Sequence, residues 1–83
     1  MSSRDDCLRA FGSRVRARRE GLGVSQEELA SACGLHRTYV GSVERGERNP
    51  TLLSMTRLAG ALRTTVRDLV DVPQTETKSN EQG

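Results

Sequence analysis

Ser25–Asn49 reads SQEELASACGLHRTYVGSVERGERN, and its punctuation decides how the rest of the chain folds. Ser25 followed by Glu28 is a reciprocal helix start: the hydroxyl accepts a backbone N–H three residues on, and the carboxylate reaches back to the serine N–H. Gln26 then takes the first helical position, among N–H groups that have no partner inside the helix. Leu29, Ala30 and Cys33 share one face, and Gly34 supplies the left-handed residue that closes the helix. A second helix follows at once, opened by His36 or its neighbour, with Leu35, Val40 and Val43 turned inward. Thr38, Gly41, Ser42 and Arg45 then face outward, Arg37 and Tyr39 lie on the flanks, and Glu44 turns in. A short helix with so little bulk at Gly41 and Ser42 is shaped to enter a groove.

Upstream, Leu8, Phe11, Val15 and Leu22 recur at helical spacing and predict a first helix from about Asp5 to Glu20. On a wheel of ~100° per residue, Arg19 falls within ~40° of that stripe. A charge so near a core needs a partner, and the inward Glu44 is the natural one. Downstream, Thr51 or Asn49 caps a fourth helix whose stripe is Leu52, Met55, Leu58, Ala59 and Leu62. Thr65 with Asp68 starts a short fifth, Val66–Val70, and Pro73 stops it. No strand pattern or internal repeat interrupts this series. The expected architecture is all-α, five helices in one domain over residues 1–72, with a disordered tail over 73–83 whose QTETKSNEQG has no apolar residue.

Composition narrows the function classes. Eighty-three residues allow one small domain. Two cysteines, Cys7 and Cys33, are too few for a secreted disulfide scaffold, which makes reduced thiols and a cytoplasmic setting the default. No apolar run approaches the ~20 residues needed to span a bilayer, so no membrane role is expected. The net charge is only +2, yet every arginine lies between Arg4 and Arg67 and the sole lysine, Lys78, is in the tail. Arginine suits bidentate contacts to phosphate and guanine, although a solvated basic surface fits the charge equally well. Phe11 and Tyr39 are the only phenyl rings, so stacking platforms for single strands are missing and any nucleic acid bound should be duplex. Cys33 and His36 form a C-x2-H pair, but zinc wants four ligands and Cys33 sits at an inward small-residue position. No metal, no cofactor and no catalytic arrangement is expected.

VSQEELASACGLHRTYVGSVERGERNPTLLSMTRLAGAL resembles the lambda-repressor-like helix-turn-helix family, the Xre type of bacterial and phage regulators, over roughly Leu8–Val70. Within it, GLHRTYVGSVERGERNP is most like the controller proteins of restriction–modification systems, whose recognition helices carry an Arg-Thr-Tyr run. The resemblance implies a helix-turn-helix at helices two and three, and roles for particular residues. Gln26 matches a glutamine that binds phosphate and buttresses the recognition helix; a plain exposed residue after a cap is the competing reading. Arg37 is the candidate for base readout, its fork matching guanine O6 and N7, with a phosphate contact as the competitor. Thr38 and Ser42 are further base-contact candidates, Ser42 with a backbone contact as its competitor. Tyr39 is assigned a phosphate contact or packing on helix two, and His36 a cap, a phosphate contact or neither. Arg48 and Asn49 match backbone-contacting positions after the recognition helix. Arg19 and Glu44 match a pair that braces helices one and three, in agreement with the wheel.

Two departures stand out: Arg18 where relatives have an apolar residue, and Thr64 where they often have Val. Both are expected to thin the core, with burial between subunits compensating at Leu53, Val66 and Val70. The expected function is a homodimeric, sequence-specific duplex-DNA-binding transcriptional regulator, reading a two-fold operator with half-sites about one helical turn apart. With little sequence after Val70, regulation by concentration-dependent dimerisation and cooperative operator filling, or by a partner, is expected, and the former suits an autoregulatory controller. RNA polymerase is a further candidate partner. The alternative is an antitoxin or accessory protein acting mainly through another polypeptide; a chromosome-associated protein binding duplex without sequence preference is a third reading.

Overall fold

A computed structural model describes residues 3–70 of the chain; the expected boundary at residue 72 and the tail over 73–83 lie outside the described residues. Five helices follow in order: α1 (Arg4–Gly21), α2 (Gln26–Cys33), α3 (Arg37–Glu44), α4 (Leu52–Ala61) and α5 (Val66–Leu69). Among the described residues there is no strand.

Local signals set the helix ends. Ser25 Oγ accepts from the Glu28 N–H at 3.0 Å and Glu28 Oε1 accepts from the Ser25 N–H at 2.7 Å. Gly34 closes α2 at φ 71°, where a side chain would clash with the following carbonyl. Thr51 caps α4 and Thr65 caps α5, each accepting the N–H three residues on. A matching box at Ser3 and Asp6 opens α1.

The core gathers Phe11 and Val15 of α1, Leu29, Ala30 and Cys33 of α2, Val40 and Val43 of α3, Leu58, Ala59 and the adjoining Leu62 of α4, and Leu69 of α5. Leu35, Tyr39, Met55, Ala61 and Val66 pack at its margin. Two expected stripe members do not join it. Leu22 lies beyond the last turn of α1 and is 40% exposed, and Leu52 opens α4 on its outer side at 70%. In both cases the wheel was extended to a helix end that overhangs the core.

Arg18 and Thr64 do not thin the core, because neither points into it. Arg18 reaches across to the end of α4, where Nε donates to the Leu62 carbonyl at 2.9 Å and Nη2 to the Arg63 carbonyl at 2.8 Å. Carbonyls at a helix C-terminus lack partners inside the helix and carry its negative end, so a guanidinium there is favourable twice over. Thr64 Oγ1 donates to Asp68 Oδ2 at 3.3 Å. Between α1 and α3 the backbones come very close. A Cβ added at Gly12 would stand 2.6 Å from the Glu44 carbonyl oxygen and nearer still to that of Val43.

Cys33 is buried, its Sγ donating to the Arg57 carbonyl at 3.5 Å, whereas Cys7 is exposed. Burial pushes the Cys33 thiol above its ordinary pKa, leaving still less of the thiolate that reacts. Alkylation at mildly alkaline pH is therefore expected to modify Cys7 promptly and Cys33 only after denaturant is added. Equal rates for both thiols in the native protein would show that the seam between α2 and α4 is open.

Candidate nucleic-acid interface

The inner side of α3 carries a polar bracket. Glu44, at the end of α3, is 9% exposed as a residue, and its carboxylate receives three donors. Arg19 Nε donates to Oε2 at 2.6 Å and Nη2 to Oε1 at 3.1 Å, while Gln26 Nε2 donates to Oε1 at 3.0 Å. Arg19 Nη1 also donates to the Val24 carbonyl at 2.9 Å. One carboxylate therefore ties α1, α3 and the start of α2 together, and its hydrogen bonds hold the Arg19 guanidinium even more firmly protonated than usual. Charge-assisted, bidentate bonds of this kind are short, strong and directional.

On the opposite side, α3 begins at Arg37, with His36 as its N-cap; the His36 side chain makes no capping hydrogen bond. His36, Arg37 and Thr38 are exposed. Arg37 and Thr38 have no ionic or hydrogen-bonding side-chain partner among the described residues. Tyr39 is half-buried against the core, and the guanidinium of Arg48 lies over its ring at 5.5 Å from the centroid. The packing of the Tyr39 ring at the core margin accords with the packing reading of this residue. Arg48 and Asn49 are exposed in the connection to α4.

Two positions differ from expectation. Gly41 and Ser42 are buried rather than outward. Ser42 Oγ donates to the Tyr39 carbonyl at 2.8 Å, a backbone bond of the kind hydroxyls make inside helices. The hydroxyl proton of Ser42 is thus spent on its own helix, and only its acceptor lone pairs are left for another contact. Gly41 is covered by Gln26 and by Arg45, whose Nη1 would lie 3.2 Å from an added Cβ. Arg45 in turn pairs with Glu47, Nε to Oε2 at 3.1 Å. Helical periodicity carries no sign of this pair, since it forms across the bend at Gly46. Gln26 is half-buried and spends a donor on Glu44; one amide hydrogen remains, beside the N–H groups of the first turn of α2.

The residues expected to bury surface between subunits divide. Leu53 is 59% and Val70 38% exposed, while Val66 packs partly on the core. Leu52, read from the sequence as core, joins the exposed group. Among the described residues no group of three or more His, Cys, Asp or Glu side chains could hold a metal ion, and no helix is long and apolar enough to cross a membrane.

Comparison with known proteins agrees with this geometry. A helix-turn-helix family profile matches residues 15–69. The control protein C.SmaI of Serratia marcescens is 49% identical over 65 residues, covering 78% of this chain and 77% of that protein. The control protein C.BamHI of Bacillus amyloliquefaciens is 44% identical over 62 residues, covering 74% and 76%. Among solved structures, the restriction–modification controller protein C.AhdI of Aeromonas hydrophila superposes with a TM-score of 0.73 at 50% identity, covering 75% of this chain and 94% of that one. A braced, outward-facing α3 and these likenesses agree: the chain belongs to the helix-turn-helix family and is similar within it to restriction–modification controller proteins.

Proposed function

We propose that this chain is a sequence-specific, duplex-DNA-binding transcriptional regulator that works as a homodimer and autoregulates a restriction–modification system. The observation that carries the reading is the two-sided character of α3. Its inner side is fixed by Glu44 to Arg19 and Gln26, while its first turn offers Arg37 and Thr38 with nothing bound to them. Binding groups that are rigidly presented and already free of partners lose little on engaging a ligand. The relatives named as control proteins supply the biological setting.

In this reading Arg37 forks onto a guanine edge and Thr38 sets its methyl or hydroxyl against a neighbouring base. Gln26, with the free N–H groups at the start of α2, takes a phosphate. His36, the Tyr39 hydroxyl, Arg48 and Asn49 line the phosphates to either side and set register. A second copy pairs through Leu53 and Val70, with Val66 at the margin, and places two recognition helices about 34–36 Å apart on a two-fold operator. The protein is no enzyme, takes RNA polymerase as a further partner, and works in the cytoplasm.

Selection of duplexes from a random pool tests the proposal; enrichment of a two-fold sequence supports it, and a pool left unenriched at low salt and micromolar protein overturns it. Two variants then separate the roles. Arg37→Ala should cost about 1–3 kcal/mol on the selected site and relax preference at one base position. Arg48→Ala should weaken all duplexes alike and flatten the salt slope by ~1. Exchanged behaviour of the two in quantitative mobility-shift titrations would reverse the assignments.

A further inference from the structure

Thr38, Gly41 and Arg45 fall on one stripe of α3, at i, i+3 and i+7. Gly41 offers no side chain there, and the Arg45 guanidinium folds back over it, with Nη1 3.2 Å from where a Cβ would stand and the Gln26 carboxamide oxygen 3.5 Å from the same point. It is held in that position by Glu47 across the bend, Nε to Oε2 at 3.1 Å, with both side chains 58% exposed. Arg45 is thus a cation lying along the proposed DNA face with its charge already matched. Glu47 is an acid set in a surface that the proposed function brings against polyanion.

We infer that Glu47 sets specificity by restraining Arg45: the carboxylate occupies the guanidinium in free protein and yields it only when a cognate duplex seats α3 fully. This rests on the DNA-binding reading above. An ion pair this exposed is worth little by itself, so exchanging it for a phosphate oxygen is easy once α3 is in the groove. In a looser, non-cognate encounter the phosphate is farther away, the pair stays closed, and the Arg45 guanidinium adds nothing to binding. Weakening the loose mode more than the tight one widens the gap between them, and that gap is specificity. The bare Gly41 is what gives Arg45 room to lie back against the helix.

The test uses full-length protein, a random-sequence duplex, and a duplex selected from a random pool by the wild-type chain. Glu47→Gln should tighten binding to the random duplex about three- to tenfold and steepen its salt slope by ~1, with a smaller gain on the selected duplex. Arg45→Ala combined with Glu47→Gln should erase that gain. Glu47→Gln binding both duplexes as wild type does, or gaining equally on both, overturns the inference while leaving the DNA-binding reading intact. A gain that survives Arg45→Ala also overturns it, because plain repulsion would then suffice. A wild-type chain that enriches no duplex at all removes this inference together with the proposed function.

Discussion

Glu44→Ala is expected to abolish most of the stability of the domain, about 3–5 kcal/mol, read as a large fall in the urea midpoint. The cause is what the substitution leaves behind. Arg19 Nε and Nη2 and Gln26 Nε2 all aim at the missing carboxylate, and the Arg19 side chain is only 11% exposed. A guanidinium so enclosed cannot recover its lost partner from water, and a single core of this size rarely supplies more than ~3–5 kcal/mol in total. Removing both charges should behave differently. Arg19→Met combined with Glu44→Leu replaces the pair by apolar groups of similar bulk, an exchange that is often neutral for stability. The double variant should therefore fold while binding a selected duplex more weakly, because nothing polar then fixes the direction of α3. Wild-type stability in Glu44→Ala would show that the bracket holds nothing. Wild-type affinity in the double variant would show that it holds nothing the DNA can feel.

Gly12→Ala should be nearly as damaging, through shape alone. The added methyl would press on the Val43 and Glu44 carbonyl oxygens, 2.6 Å from the latter. These are backbone atoms at the end of a helix and cannot swing aside as a side chain can. α1 and α3 must separate, with a loss of about 3 kcal/mol, the upper end for overpacking. Separation also stretches the bond from Arg19 to Glu44, so duplex affinity should fall in whatever fraction remains folded. Gly60→Ala provides the control. It lies within α4 with open space around it, and should stabilise the domain by about 0.5–1 kcal/mol through helix propensity. Thermal melts of the two variants moving in the same direction would contradict the packing described for Gly12.

These two sites mark where the sequence could be read and where it could not. Ser25, Glu28 and Gly34 announce α2 because caps and left-handed closures are satisfied within three or four residues. The partnership of Arg19 with Glu44 was legible because two opposite charges near inward stripes leave each other as the economical solution. Gly12 announces nothing: its meaning depends on how closely two helices cross, and periodicity carries no interhelical distance. Arg18 looked like a defect in the core for a related reason, since the carbonyls it serves at Leu62 and Arg63 are more than forty residues away along the chain. Leu22 and Leu52 were misplaced because a wheel has no ends, whereas helices do. On the candidate interface, exposure of Arg37 and Thr38 followed from the pattern. The inward turn of Ser42 did not, as its hydroxyl proton goes to a carbonyl of its own helix.

The bracket on α3 engages Arg19, Gln26, Glu44 and the close pass at Gly12, and none of these bonds involves Arg37 or Thr38. If Arg37 and Thr38 read bases as proposed, frame and address are written on different letters of the chain. A lineage built on this scaffold could then drift to a new target by exchanging a pair of side chains, with the skeleton beneath left untouched.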